Sequence, residues 1–103
     1  MRQPGDLVEK DPQSDEPYGF DWSPWLAELG TAIAIGSSSW AVTGPDALLT
    51  THDPSLTAGN LKTIVYLAGG TPGMIYVVTN HIATNSAPTV ADDRSFQVYI
   101  TQR

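Results

Sequence analysis

Two short apolar stretches separated by a turn make up the sequence Leu67-Ala-Gly-Gly-Thr-Pro-Gly-Met-Ile-Tyr-Val-Val78. Glycine permits the positive φ angles that a tight turn needs, and proline fixes φ, so residues 69–73 form the connection. Tyr76 and Val78 follow at alternate positions, a spacing that places both side chains on one face of a strand. The stretch therefore predicts two consecutive β-strands joined at a corner.

Alternation of apolar and polar residues continues on both sides of this corner. It predicts strands over residues 62–67, 75–84 and 95–101. We expect Trp40, Tyr76, Val78 and Phe96 to be core residues between two sheets. The other residues predicted to face inward from these strands are Thr63, Val65, Leu67, Asn80, Ile82, Val98 and Ile100.

The remaining strand signals are interrupted. A strand over 32–42 changes parity near Gly36, which indicates a β-bulge or a short break there. A short strand over 47–51 is followed by a turn at residues 52–54. The first ordered strand covers 20–26, where Pro24 implies a sheet edge or a bend. No helix is predicted, and residues 85–93 read as a polar loop.

These signals together predict the fold class. About seven short strands separated by turns are typical of an all-β, antiparallel sandwich. A tyrosine just after a corner, as at Tyr76, is the arrangement found in immunoglobulin-like sandwiches. We therefore predict an immunoglobulin-like β-sandwich over residues 20–103, preceded by an extended arm over residues 1–19.

The arm is predicted from composition. Residues 1–19 contain three prolines, several acids and few apolar residues, so this segment buries too little surface to offset its ordering entropy. We expect it to be mobile in the free protein and to order against a neighbouring subunit. Removing residues 1–17 should then leave the melting temperature nearly unchanged, while it weakens or abolishes assembly with that neighbour.

Composition also restricts the class of partner. The net charge is −6, and only five residues are Lys or Arg, which argues against nucleic-acid binding. No apolar run is long enough for a membrane helix, and no secretory signal is evident, so we expect a protein made in the cytoplasm without a membrane partner. The chain has no cysteine, which excludes disulfides and thiolate metal sites.

A search for catalytic chemistry finds none. His52 and His81 have no partner at metal-ligand spacing, and His81 has the parity of a solvated strand residue. Asp92 and Asp93 are adjacent and point apart, so we expect Arg94 to pair with an acid and fix the loop to the sheet. The sequence therefore predicts no catalytic, cofactor-binding or metal-binding residues, and no enzyme.

A set of short motifs in a fixed order resembles a family of small tailed-bacteriophage structural proteins that often carry the label fibre–tail adaptor. The resemblance covers about residues 10–100, and departs in the first nine residues and in a longer 85–91 loop. It is carried by Lys10-Asp-Pro12, Tyr18-x-x-Asp-Trp-Ser23, Trp25-Leu26, Ser39-Trp-x-Val42, Leu67-x-Gly-Gly-Thr-x-Gly73, Tyr76-x-Val78, Asn80-x-Ile82-x-Thr84 and Asp93-Arg-Ser95.

The resemblance implies a non-enzymatic virion protein, assembled in the host cytoplasm, that joins a fibre or another component to the tail. Its partners would be other virion proteins of the tail, fibre or capsid, in multiple copies. Aromatic and apolar residues dominate interfaces, so the expected contact residues lie in the arm and at its base. They are Leu7, Val8, Tyr18, Phe20, Trp22 and Trp25.

Two other functions remain open from the sequence. One is a capsid decoration protein on the phage head. The other is a module that binds carbohydrate or a host receptor, for which Trp25, Tyr66 and Tyr99 would form an exposed aromatic platform.

Overall fold

The computed structural model of the chain describes residues 7–30, 33–57 and 59–102. Seven strands and one short helix lie in this described part. In chain order the elements are β1 (Leu7–Lys10), β2 (Asp15–Asp21), α1 (Ser23–Leu29), β3 (Ile35–Thr43), β4 (Leu49–Thr57), β5 (Lys62–Gly69), β6 (Ile75–Thr84) and β7 (Ala91–Ile100).

The strands form two sheets. One has the order β1-β7-β6-β3 and the other the order β2-β5-β4. All pairs are antiparallel except β1 and β7, which are parallel. The predicted all-β sandwich is confirmed, whereas its immunoglobulin-like character stays a prediction.

The corner around residues 69–73 is fixed by Tyr76. Its hydroxyl accepts a hydrogen bond from the N–H of Thr71 (2.9 Å) and donates one to Asp46 Oδ1 (2.6 Å). The bond from Tyr76 stabilises the carboxylate and lowers the pKa of Asp46, with further bonds from Leu48 N–H and the Thr71 hydroxyl. Gly69, Gly70 and Gly73 have positive φ, as the turn requires.

The predicted faces of β5, β6 and β7 are confirmed. Each residue predicted to face inward from these strands is buried, including the polar Thr63 and Asn80. The boundary of β7 differs, since the strand begins at Ala91 and the preceding loop is 85–90. Trp40 is only half-buried, but it packs against the main core.

Of the two predicted strand interruptions, one is confirmed and the other is wrong. The register shifts between Ile35 and Ser37, so the bulge predicted at Gly36 is confirmed. The turn predicted at residues 52–54 is wrong, because β4 continues from Leu49 to Thr57 with a register shift between His52 and Ser55. Asp53 adopts a positive φ there, so two residues bulge out while pairing with β5 resumes.

The prediction that the chain has no helix is wrong. The predicted strand 20–26 ends at Asp21, and α1 begins at Ser23 with Pro24 in its first turn, where a missing N–H costs nothing. Trp22 and Trp25 would face opposite sides of a straight strand, but the bend brings them together: Trp22 is fully buried, and Trp25 packs on it edge to face at 5.5 Å. Within the described residues no helix is long and apolar enough to span a membrane.

The arm assignment also requires correction for residues 7–19, while residues 1–6 lie outside the described residues. Residues 7–10 pair with β7, and residues 15–21 pair with β5 along their whole length. Lys10 and Tyr18 are fully buried. Strand pairing and a few buried side chains hold this segment in the sandwich despite its low apolar content. A chain that lacks residues 1–17 is therefore no longer expected to keep its melting temperature.

The core has two parts. The larger lies between the sheets, and the smaller lies under α1. The larger comprises Tyr18, Leu49, Val65, Leu67, Tyr76, Val78, Phe96, Val98 and Ile100, and the smaller comprises Trp22, Leu26, Ile35 and Ile82.

Candidate functional site and interaction surfaces

Two buried polar side chains hold the sheets in register. Asn80 on β6 accepts hydrogen bonds at Oδ1 from Trp22 Nε1 (2.9 Å) and Thr63 Oγ1 (2.7 Å). Its Nδ2 donates to Ser38 Oγ (2.9 Å) and to the carbonyl of Ser39 (3.0 Å). Because Thr63 belongs to the other sheet, this fully satisfied amide joins both layers, which makes Asn80 a structural residue.

Lys10 has a comparable role near the N-terminus. Its Nζ donates to the carbonyls of Asp11 (2.9 Å), Ser14 (2.7 Å) and Gly69 (2.9 Å). The side chain is fully buried, and the three bonds match the three donors of an ammonium group. Lys10 therefore fixes the β1–β2 connection to the turn after β5.

Arg94 forms a different contact from the one predicted. Its guanidinium lies over the Trp22 ring, 4.1 Å from the ring centroid, and Nη1 donates to the main-chain carbonyl of Asp21 (3.2 Å). The pKa of Asp21 is lowered, chiefly by hydrogen bonds from the Ser23 hydroxyl and N–H, with smaller electrostatic contributions from Lys62 and Arg94. Arg94 thus stabilises the junction between β2 and α1.

Both histidines pair with aspartates at the surface. His52 lies between Asp15 on β2 (Nε2 to Oδ1, 2.7 Å) and its neighbour Asp53 (Nδ1 to Oδ2, 2.9 Å). Hydrogen bonds to Asp53 and then Asp15 stabilise the charged imidazolium, so the pKa of His52 is raised. His81 contacts Asp93 across β6 and β7, on the solvated face where parity placed it.

The two histidines lie on different strands, and each pairs with aspartates near it. Within residues 7–30, 33–57 and 59–102, no set of three or more His, Asp or Glu could hold a metal ion. His81 and His52 each bond to carboxylates, and among the described residues neither ring bonds to a serine or threonine hydroxyl. An orienting acid with no nucleophile beside the histidine lacks a part that acyl transfer requires.

The six residues predicted at an interface fall into three groups. Tyr18 and Trp22 have no exposed surface and belong to the core, so we no longer include them among contact residues. Val8, Phe20 and Trp25 are half-buried and pack on the two core clusters. Leu7 has 53% of its surface exposed, a large fraction for a leucine in a strand.

Leu7 belongs to an exposed group of side chains that we call the apolar patch: Leu7, Met74 and Ile75. Leu7 and Ile75 lie on the outer face of the four-stranded sheet, on opposite sides of β7, where they flank Gln97 and Tyr99. Ile75 is 48% exposed, and Met74 precedes it at the corner. Exposed apolar side chains grouped in this way are typical of a protein–protein contact.

The aromatic residues considered for carbohydrate binding do not form one platform. Tyr66 lies on the outer face of the three-stranded sheet, where it stacks with His52 at 5.4 Å. Tyr99 lies on the outer face of the other sheet, and Trp25 lies on α1 against Trp22. Three rings on three surfaces cannot stack on one sugar chain.

The described residues form a two-layer β-sandwich with internal polar anchors and an apolar patch, which is the architecture of many small structural domains. The chain belongs to one such family: its residues 10–99 match the family Gp77, described as podophage GP4 fiber-tail adaptor protein gp77. The family is one of bacteriophage tail structural proteins. Comparisons with curated proteins and with solved structures found no match.

Sequence reasoning missed two features of this site. The burial of Lys10 had no signal beyond its place in the first family motif, because a lysine among acids and prolines is typical of solvated chain. The apolar patch could have been found in part, since Ile75 has the parity opposite to Tyr76 and therefore had to face outward.

Proposed function

We propose that this chain is a non-enzymatic adaptor of a podophage virion that joins a fibre to the tail. The family match supports this function, because residues 10–99 include α1 and all the strands from β2 to β7. The partners are then tail and fibre proteins, present in multiple copies. The protein is incorporated into the particle in the host cytoplasm.

The construction of the domain suits a connector. Lys10 and Asn80 use their hydrogen-bonding capacity to hold strands together, so the buried polar groups rigidify the domain. A joint between two components has to contact both at once, which requires two separate surfaces on one rigid body. The apolar patch, at the end of β1 and β6, provides one of them.

The interface residues remain part of this proposal. Leu7 belongs to the first contact surface, and the exposed portions of Val8, Phe20 and Trp25 are further candidates. The free protein has a net charge of −6, so a partner surface with Lys or Arg would add favourable electrostatics that weaken as salt rises.

Complementation of a phage that lacks this protein tests the adaptor function. Without the protein, we expect particles with normal heads and tails but few or no attached fibres, as seen by negative-stain microscopy and by the fibre-protein content of purified particles. Particles with a full set of fibres would contradict the adaptor function. Unstable heads with normal fibres would indicate capsid decoration instead.

The apolar patch is tested in the same system. The double variant Leu7→Ser, Ile75→Ser should fold normally, because both side chains face solvent, yet be incorporated poorly into particles. Leu29→Ser is the matched control, since Leu29 is an exposed leucine on α1, away from the patch. Equal incorporation of the double variant and the control would remove the patch from the interface.

A further inference from the structure

The four edges of the two sheets differ in how they are protected. β1 has only four residues, β2 contains Pro17, and β4 contains Pro54 and a bulge. β3 also has a bulge, at Gly36, but its remaining seven residues, Ser37–Thr43, pair without a break and include neither a charge nor a proline. Proteins normally blunt such an edge, because its free backbone groups are a template for pairing with another strand.

The hydrogen bonds between β6 and β7 determine which backbone groups of β3 point away from the sheet. The N–H of Thr84 donates to Val90 (2.8 Å), and the N–H of Ile100 donates to Met74 (3.0 Å). Even-numbered residues of β6 therefore bond to β7, and the alternation of an antiparallel ladder directs odd-numbered residues to β3. The register runs without a break from Ser37 opposite Ala83 to the end of β3.

The ladder to β6 thus uses alternate residues of β3, namely Ser37, Ser39, Ala41 and Thr43. The N–H and C=O groups of Ser38, Trp40 and Val42 point away from the sheet. In the described part of the chain, no backbone hydrogen bond outside the ladders involves these three residues. The edge consequently presents three donors and three acceptors in a regular array.

A cleft lies beside this array, between the edges of β3 and β4. It has a volume of about 150 Å³ and is lined by Ser38, Pro54, Ser55 and Leu56. The cleft is open to solvent on one side, Pro54 and Leu56 form its apolar part, and its volume is comparable to that of an enclosed cavity that holds a benzene ring. A strand added to β3 would direct alternate side chains toward this cleft, so a side chain of leucine or phenylalanine size would fit.

We propose that the β3 edge receives an extended segment of a partner protein, which adds as a fifth strand to the four-stranded sheet. The segment carries apolar side chains at the alternate positions that face the cleft, and small uncharged side chains on the other face, next to Ser39 and Ala41. Main-chain hydrogen bonds supply the affinity, and the cleft supplies the specificity.

The occupant is a different protein rather than a second copy of this chain. The cleft-side residues of β3, Trp40 and Val42, pack against their own core, and Trp40 stacks on Phe20 at 6.1 Å. The β3 strand of another copy therefore has no free side chain for the cleft, and two copies repel each other with a charge of −6 each. That the partner is a tail or fibre protein rests on the proposed function, whereas the strand addition does not.

Amide exchange tests the proposal directly. The probe is a set of short overlapping peptides from the tail and fibre proteins of the same phage, added to the isotope-labelled full-length protein. A bound peptide should slow exchange at the amides of Ser38, Trp40 and Val42 by about tenfold or more, while those of Ser39 and Ala41 are slow with or without peptide. The proposal fails if no peptide binds, if binding leaves the three amides unchanged, or if they are protected by self-association alone.

Two variants separate the edge from general effects on the fold. Ser38→Pro removes one free N–H and keeps every ladder bond to β6, whereas Ser38→Ala loses the same hydroxyl and keeps the N–H. Ser38→Pro should bind the peptide about tenfold more weakly than Ser38→Ala. Ser55→Trp, which fills the cleft from β4, should cause a similar loss without changing the sequence or the free N–H groups of β3. Binding by both Ser38→Pro and Ser55→Trp equal to that of Ser38→Ala would overturn the proposal.

Complementation distinguishes this inference from the adaptor function. If particles need the protein for fibre attachment but accept Ser38→Pro at the same level as Ser38→Ala, the function stands and the strand addition is wrong. If particles lacking the protein carry normal fibres, the function is wrong, and the exchange measurement still decides whether the edge binds an extended segment.

Discussion

The β6–β7 hairpin and the N-terminal segment (residues 7–21) both contribute to the same core, but different interactions hold them there. The hairpin places an apolar or aromatic side chain inward at most alternate positions. The N-terminal segment holds its place with strand pairing, the buried Lys10 and the aromatic Tyr18. Apolar content in the sequence therefore identifies a strand that buries many side chains. It misses a strand that is held by backbone pairing and by one or two buried residues.

Among the changes that test this comparison, truncation of the N-terminal segment should have the largest effect on the stability of the domain. Removing residues 1–17 deletes β1 and the first part of β2, so the paired edges of β5 and β7 lose their neighbours and the core loses cover. Because a domain is stable by only about 5–15 kcal/mol, we expect no cooperative thermal unfolding by circular dichroism. A truncated protein that melts within a few degrees of the full chain would restore the view that this segment is an arm.

Asn80→Leu tests the polar anchor of the hairpin. The change keeps the approximate volume but leaves Trp22 Nε1 and Thr63 Oγ1 buried without their acceptor, so we expect a loss of about 4 kcal/mol in the free energy of unfolding. Asn85→Ala, which removes one exposed hydrogen bond, is the control and should cost about 1 kcal/mol. Denaturant titration measures both, and equal losses would show that Asn80 is not an anchor.

Lys10→Met tests the corresponding anchor of the N-terminal segment. The variant leaves the carbonyls of Asp11, Ser14 and Gly69 without the ammonium donor, and part of this loss is recovered by water at the half-buried ends. We expect a decrease of about 2 to 3 kcal/mol in unfolding free energy. Lys62→Met should cost below about 0.5 kcal/mol, as expected for a lysine whose partner is near solvent. Similar values for the two variants would contradict a special role for Lys10.

The smallest expected effect concerns the link between Asp15 of the N-terminal segment and His52 of β4. Hydrogen bonds to Asp53 and then to Asp15 raise the folded-state pKa of His52. These contacts therefore stabilise the protein fully below the ordinary histidine pKa of about 6.5, and their contribution disappears as pH rises through the folded-state value. The parent should therefore exceed His52→Gln in melting temperature at pH 5.5 by more than at about pH 8.5. A constant difference between the two proteins across this range would show that the link is not charged.

Much of the fold could be predicted because several strands obey one simple rule. The buried faces of β5, β6 and β7, the bulge at Gly36 and the corner at Tyr76 follow from alternation and turn chemistry. These features are local, so a short stretch of sequence contains all the information that they need.

The remaining elements depend on contacts that no local pattern contains. β1 is short and pairs in parallel with the far end of the chain, and β4 runs through Asp53 and Pro54 only because β5 supports both sides of the bulge. In α1, Pro24 reads equally well as a strand break and as a helix start.

Only part of the candidate interaction surface could be predicted from the sequence. Leu7 was named as a contact residue from its apolar character among acids, and it is exposed. Tyr18 and Trp22 were named for the same reason but are buried, because aromatic residues serve cores and interfaces equally well. The sequence could not predict that β3 is an edge strand, because the order of strands in a sheet depends on pairing between distant segments.

The parallel pairing of β1 with β7 has a mechanical consequence for a domain that connects two components. A pull applied at the Leu7 end of β1 and at the Ile100 end of β7 acts on opposite ends of two parallel strands. The hydrogen bonds between them are then strained together in shear, instead of opening one after another as in a zipper. Tension along that line is therefore shared by all the hydrogen bonds of the pair. The hydrogen bond from Lys10 Nζ to the carbonyl of Gly69 resists displacement of β1 in addition.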